Sequence, residues 1–480
     1  MDTNNFAIAI MAAGKGTRLK SKRPKVLHEI GGRALLLHVI AAAKTVVPAD
    51  QIFCIIGHEA DRVKAAVTAT GVQFVLQPEQ RGTGHAMQML KAFFTLNEAP
   101  LPKHLLVLSG DVPLIRPETI AAVREVHLSE RAAMTILTAV PTDPTGYGRV
   151  LRLTPEGAEV TAIIEQKSLT PDQLNTSQNL NEINSGIYCF ETKELFRKLD
   201  ALDTNNAHGE FYLTDIAAML VAEGKRVVAI KADSVDEVLG ANTIAEMMHL
   251  DAAIRLATAR RLMAAGVTIF RPETCVIDAE VTVGPDTVIE PYVQLLGTTK
   301  IGSESRVRSY TVIQNSTLGD NVTVRNGCIL DTAEVADNAV LGPYAHLRPE
   351  SRIGDGAHVG NFVETKKTTM GKGSKANHLN YLGDSIIGAG VNIGAGAITC
   401  NYDGVRKHLT TIGDGAFIGS DSTLVAPVTI GAGSYIAAGS SITEDVPEGA
   451  LALGRSRQIT KPGWVAAKKS AQNKDPNKSC

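Results

Sequence analysis

The densest phosphate-binding chemistry in the chain lies near its start. There the apolar run IAIMAA passes directly into Gly14-Lys15-Gly16-Thr17-Arg18. Glycines just after a strand let backbone N–H groups approach phosphate oxygens, and Arg18 with Lys25 supplies positive charge for a triphosphate. The spacing is not that of a P-loop, because no Gly-Lys-Ser or Gly-Lys-Thr closes it. It is not a full dinucleotide fingerprint either, because Leu19 replaces the third glycine. Alone, the Gly-x-Gly also reads as a tight turn. Thr17-Arg18 and Pro24-Lys25 are what tie it to phosphate. Asp111 ends a second apolar run, LLVLSGDVPL, where an exposed carboxylate can hold Mg2+ against phosphates. The competing use of such an aspartate is a turn or a helix cap. A basic glycine loop and a divalent metal suit transfer of a nucleotidyl group to a phosphate. That reaction needs alignment and charge screening but no protein nucleophile.

These residues must be held by strands. Residues 6–11, 51–56 and 105–108 read as buried strands, and 33–46 and 118–128 as helices between them. Alternation of this kind over residues 5–240 implies an α/β domain with a Rossmann-like, mostly parallel sheet, whose ligands bind at the carboxyl ends of strands. Residues 243–265 lack Gly and Pro and read as a connecting helix. The expected division is a domain over 1–240, a linker helix over 241–265, a second domain over 266–460 and a polar tail over 461–480.

After about residue 275 a six-residue repeat takes over. Val283, Ile289, Leu295, Ile301, Val307 and Ile313 are six apart, as are Val335, Leu341, Leu347, Ile353 and Val359, and then Ile412, Ile418, Leu424, Ile430, Ile436 and Ile442. A repeat this short predicts a parallel β-helix, with each hexapeptide giving one short strand and one turn. Three such units make a coil of about 18 residues, and roughly ten coils stacked at about 4.8 Å give a prism near 50 Å long. The register slips once between Ile313 and Leu318 and again between Leu330 and Val335. The pattern is loose over residues 365–387, and TCNYDGVRKHLT interrupts it before Ile412. Breaks in a solenoid emerge as surface loops, where binding chemistry is placed. His378 and Tyr381 lie in the loose stretch, Asn401 and Tyr402 in the insertion, and Arg348 and Lys366 add cations.

The whole chain of 480 residues carries 48 Lys+Arg against 50 Asp+Glu, a formal charge of −2, which points away from nucleic acid and membrane surfaces. Cys54, Cys189, Cys275, Cys328, Cys400 and Cys480 are scattered with no zinc-like spacing, as expected of reduced thiols in a cytoplasm. The start MDTNN carries no signal-peptide pattern, and no run is long enough for a membrane span. The lysine-rich end after Trp464, with Cys480, reads as a solvated tail.

The segments AAGKGTRLKSKRPKVL, GTGHA, SGDVPLI, DPTGYGRV, EINSGIY and EFYLTD resemble the sugar-phosphate nucleotidyltransferases. With the repeat, NHLNYLGDS and GAGAITCNYDG, residues 5–465 resemble the bacterial bifunctional enzymes of UDP-N-acetylglucosamine synthesis. These join an N-acetylglucosamine-1-phosphate uridyltransferase to a glucosamine-1-phosphate acetyltransferase on a left-handed parallel β-helix. The resemblance implies that Met11, Ala12, Ala13, Gly14, Lys25, Gln77, Gly82 and Thr83 meet UTP, with Arg18 near the triphosphate. It implies that Gly148, Glu165 and Asn184 meet the sugar, and that Asp111 and Asn242 ligate Mg2+. Ser109 and Gly110, just before Asp111, are implied to meet the substrate as well, with Ser109 standing where some members carry Tyr. Read without the family, Gln77 and Asn184 are ordinary hydrogen-bonding amides.

Acetyl transfer from a thioester to an amine needs a base, and a histidine titrating near neutrality suits that role. The resemblance makes His378 that base, with Glu364 orienting it. It puts Arg348, Lys366, Tyr381 and Asn392 on the amino-sugar phosphate, and Asn401, Tyr402, Ser420, Ala438 and Arg455 on acetyl-CoA. It also implies a homotrimer built through the β-helix, with acetylation preceding uridylyl transfer. Two other readings stay open: a single-activity nucleotidyltransferase whose β-helix only oligomerises it, and a non-catalytic regulatory subunit of the same architecture.

Overall fold

The computed structural model describes residues 5–154, 157–166, 169, 181–206 and 209–472. The chain divides into two compact units, one comprising Met1–Arg260 with Ile277–Glu280, the other Arg261–Val276 with Val281–Cys480.

In the first unit, strands rich in Ile, Val and Leu pair in the order Val227–Lys231, Met134–Ala139, Ile183–Glu191, His104–Ser109, Phe6–Ala12, Ile52–Ile56, Gln73–Leu76. All neighbours are parallel except Ile183–Glu191, which runs antiparallel to both of its own. Alternating side chains serve the two faces. Phe6, Ile8 and Ile10 enter a core with Leu36, Val39 and Ile120, and Ala7 and Ala9 enter another with Met87, Leu90 and Ile216 on the opposite face.

The segment read as one helix over 33–46 is a short hairpin strand, Arg33–Ala34, followed by the helix Leu35–Lys44. Helix Ile244–Ala264 does more than connect. Its Met247 and Leu250 join Leu19, Ile30 and Leu35 in a third core cluster.

The second unit is a parallel β-helix. One face is an 11-stranded sheet running from Thr268–Ile269 to Leu451–Ala452. Its ten inter-strand steps span roughly 48 Å at about 4.8 Å each. The anchors stack coil on coil, as in Ile301↔Leu318↔Val335↔Ile353. The slips after Ile313 and Leu330 therefore shorten a coil to 17 residues without disturbing the ladder.

The stretch 365–387, expected to be loose, is continuous. Strands Glu364–Met370, Lys375–His378 and Tyr381–Ile387 stay in register with their neighbours. Its irregularity is one of residue type. Thr365 takes an inward position, and its hydroxyl is satisfied by Ser351 Oγ at 2.8 Å, so no polar group is stranded there. The insertion is a true surface loop between Ile398–Cys400 and Thr410–Ile412. Part of the expected tail is helical as well. Trp464–Gln472 forms an exposed helix, in keeping with its Ala and Lys content. Residues 473–480, with Cys480, lie outside the described residues. The other five cysteines are unpaired, and burial pushes the Cys54 thiol up to about 12. No helix among the described residues is long and apolar enough to cross a membrane.

Candidate functional site

In the first unit the glycine loop and Asp111 meet because their strands are neighbours. Met11 pairs with Ser109, and Gly110 N donates to Met11 O at 2.9 Å. Gly16 has φ +62, and a Cβ there would lie 2.6 Å from Lys25 Cβ, so only glycine lets the loop fold back onto Lys25. Ala241 N donates to Asp111 O at 3.1 Å, which brings Asn242 to the same place. A capping box fixes Asn242. Glu246 Oε2 accepts from Asn242 N at 2.8 Å and Thr243 N at 3.0 Å, while Thr243 Oγ1 accepts from Glu246 N at 3.2 Å.

The outcome is a convergent cluster. The Lys25 ammonium pairs with Asp111 Oδ2 and donates to Asn242 Oδ1 at 2.8 Å, and Arg18 donates to the same Oδ1 at 2.7 Å. Two oxygens thus close on one cation.

An open cavity of about 1220 Å³ lies beside this cluster. Met11, Ala12, Ala13, Gly14, Arg18, Lys25, Gln77, Gly82, Thr83, Asp111, Gly148, Glu165 and Asn184 all line it. Ser109, Gly110 and Asn242 are not among its lining residues; Asn242 reaches it through Arg18 and Lys25, and the Ser109 Oγ lies beside Gly186. Gln77 is buried and donates to Gly82 O at 3.1 Å. Thr83 Oγ1 accepts from Leu213 N at 3.1 Å, Glu165 accepts from Thr214 at 3.2 Å, and Asn184 donates to the Tyr188 hydroxyl at 2.8 Å. The plain hydrogen-bonding roles considered for Gln77 and Asn184 are therefore present. Tyr147, Tyr188 and Tyr212 also line the cavity; they lie within the motifs DPTGYGRV, EINSGIY and EFYLTD, and that membership was their only signal in the sequence.

In the second unit, register ladders gather the expected residues in two groups. Glu364 stacks on His346 and Tyr381 on Glu364, and Arg348 pairs with Glu364 at 2.7 Å. Glu364 was expected to orient His378, but its carboxylate is engaged by Arg348. The His378 ring instead meets Asn361, Nδ1 to Oδ1 at 2.8 Å. A Cβ on Gly383 would lie 2.6 Å from the Tyr381 hydroxyl and 2.8 Å from Asn401 Nδ2, so these two side chains converge over that glycine. Asn401 also donates to Asp384. The neighbouring Lys407 ammonium pushes the Lys366 pKa below the usual lysine range. Lys407, on the insertion, escaped the sequence reading because only the fold brings it to Lys366.

The other group follows one edge of the prism. Leu379 N donates to Asn361 O, Gly396 N to His378 O, Asp421 N to Ala395 O, and Gly439 N to Ser420 O. Asn361, His378, Ala395 and Ser420 are thus successive rungs, with Ala438 on the next, and Arg455 Cδ lies 4.0 Å from where a Gly439 Cβ would be. Asn392 lies on a different ladder, between Lys375 and Phe417, apart from Arg348 and Lys366. The Tyr402 hydroxyl donates to Gly404 O at 2.6 Å within the insertion.

Both units also have counterparts among known proteins. Residues 8–210 match the model of the MobA-like NTP transferase domain, and residues 409–444 that of the bacterial transferase hexapeptide (six repeats). A bifunctional protein GlmU from Koribacter versatilis is 61% identical over 99% of this chain and 100% of its own length. Its counterparts in Solibacter usitatus and Clostridioides difficile are 48% and 42% identical, over 96% and 97% of this chain and 97% and 98% of their own lengths. With both domains present and matched over almost the whole length, the chain belongs to the family of bifunctional GlmU proteins, transferases that combine nucleotidyltransferase and acetyltransferase activities.

Proposed function

We propose that the second unit acetylates glucosamine-1-phosphate with acetyl-CoA, and that the first then transfers UMP from UTP to N-acetylglucosamine-1-phosphate, releasing pyrophosphate. The observation that carries the nucleotidyl half is the closure of Asp111 Oδ2 and Asn242 Oδ1 on the Lys25 ammonium. A carboxylate and an amide oxygen form a hard donor pair suited to Mg2+, which takes its remaining ligands from phosphates and water. Asp111 and Asn242 would hold the ion, and its charge would screen the triphosphate. Arg18 and Lys25 neutralise phosphate oxygens, while the glycine loop offers backbone N–H groups. The sugar phosphate oxygen attacks the α-phosphorus in line, and pyrophosphate leaves without a protein nucleophile.

In the acetyl half, His378 Nε2 takes a proton from the sugar amine as its nitrogen attacks the thioester carbonyl carbon. The C–S bond breaks, and the proton passes to the leaving thiolate. Arg348, Lys366 and Lys407 provide three cations for the sugar phosphate, and the small residues on the edge from His378 towards Ser420 and Ala438 leave room for an extended thioester. A homotrimer is supported by an exposed aromatic ladder. Tyr292 stacks on Tyr310 with centroids 5.3 Å apart, and Tyr344 on Phe362 at 5.6 Å, an apolar stripe of the kind proteins cover with a partner.

One coupled assay tests both halves, with UTP, acetyl-CoA, glucosamine-1-phosphate and Mg2+. Asp111→Ala, or chelation of the metal, should abolish pyrophosphate release and spare thiol release. His378→Ala should stop thiol release, and pyrophosphate release with it, until N-acetylglucosamine-1-phosphate is added, which should restore pyrophosphate release alone. A His378→Ala variant that acetylates normally would remove the histidine from its role.

A further inference from the structure

We infer that Asn361 is the positioning residue that fixes the ring of His378 in the tautomer required of a base. The inference rests on the reading of His378 as the base. Asn361 closes the strand His358–Asn361, and His378 closes the strand Lys375–His378, one coil later in direct register. In a parallel coil, equivalent residues project the same way about 4.8 Å apart, so the pair faces outward together. Both are followed by residues in the left-handed region, Phe362 at φ 57 and Leu379 at φ 51, and Leu379 N donates to Asn361 O at 3.0 Å. The two corners are therefore clamped to each other. A Cβ on Gly360 would lie 2.0 Å from Asn377 O, so the coils meet here as closely as glycine allows.

Asn361 Oδ1 is an acceptor, so the ring nitrogen facing it at 2.8 Å carries the proton. Nε2 then keeps its lone pair and can receive a proton from the amine. Glu364 is engaged by Arg348 at 2.7 Å, and the partner that the His378 ring meets is Asn361. Ionisable groups near this corner include His358, Lys375 and Arg325, with His358 influenced by all of Arg325, Lys375 and His378. Each is cationic when charged, so none of them favours the protonated imidazole. A carboxylate at position 361 would.

The test is the pH profile of acetyl transfer by the full-length protein, with glucosamine-1-phosphate and acetyl-CoA, for Asn361→Leu and Asn361→Asp. Asn361→Leu should lower kcat roughly 10- to 100-fold, as loss of an orienting partner does, with KM for the sugar phosphate changed less than about twofold. Asn361→Asp keeps the shape and an acceptor. It should retain most of the activity at high pH and move the acid limb of kcat up by about one unit, because an adjacent carboxylate stabilises the charged ring. A Leu variant with the parent's kcat, or an Asp variant with an unmoved limb, overturns the inference. Because Asp matches Asn in size, its pH limb remains readable even if the Leu variant fails to fold. His378→Ala separates the two readings. If it is inactive while both Asn361 variants match the parent, only the positioning role fails; if it is active, the base assignment itself fails.

Discussion

Acidification from pH 8 to pH 5 should destabilise the first unit through His127. This side chain is 1% exposed, with Nε2 3.1 Å from His104 Nδ1 and Nδ1 3.0 Å from Thr135 Oγ1. Burial, aided by His104, pushes its pKa down to about 3 from an ordinary 6.5. A histidine with a depressed native pKa stays neutral in the fold while the unfolded chain takes up a proton. Its contribution is therefore intact above pH 6.5 and is lost as pH falls from 6.5 towards 3. With these two values the loss is about 2 kcal/mol at pH 5, growing at lower pH. His104 and His38, both lowered chiefly by burial, act in the same direction. The consequence reaches the chemistry, because His104 begins the strand His104–Ser109 that leads to Asp111. Urea unfolding followed by the circular dichroism of the helices measures it, since most of the helix among the described residues belongs to the first unit. The single tryptophan, Trp464, lies in the second unit and would miss the event. His127→Gln can keep both hydrogen bonds without titrating and should lose at least about 1 kcal/mol less than the parent over the same interval. An undiminished loss in that variant, or none in the parent, would refute the reasoning.

Three further outcomes follow. Gly82→Ala should weaken UTP binding and destabilise the first unit by about 1–3 kcal/mol, since the backbone sits at φ 102 and the new Cβ would lie 2.5 Å from Phe211 O; nucleotide titration and thermal unfolding read both. Glu246→Ala removes the capping box, costing about 1 kcal/mol, and should slow uridylyl transfer by freeing Asn242 while leaving thiol release unchanged. Tyr344→Glu puts a charge into the aromatic ladder and should lower the mass measured by light scattering.

Much of the scaffold was readable because apolar side chains repeat with the period of the structure. The anchors from Val283 to Ile442 announce their own inward positions. Thr365 and Ala376 do not, since a satisfied hydroxyl and a methyl also fit inside a coil, and that is why a continuous region looked loose. The phosphate loop could be read from glycine and charge placed after a strand. The partnership of Asn361 with His378 could not, because it depends on counting one 17-residue coil through that same region. Lys407 was hidden for a related reason: the bridge between Tyr402 and Lys407 turns the insertion back on itself, a fold-back with no apolar period to reveal it.

The edge that carries Asn361, His378, Ala395 and Ser420 behaves as a graduated rule. Backbone hydrogen bonds between coils set its divisions, so the distance between any two rungs changes only by a whole coil. Fine adjustment must come from the side chain placed on each rung. Among the left-handed residues that turn this edge, Gly396, Asp421 and Gly439 beyond Leu379 carry short side chains or none, whereas Tyr310, Tyr344 and Phe362 before it are aromatic, with Gly327 between the two tyrosines. If this edge takes the thioester as proposed, replacing one of the short residues with a bulky one would block the donor's path while leaving the spacing of the reacting groups untouched.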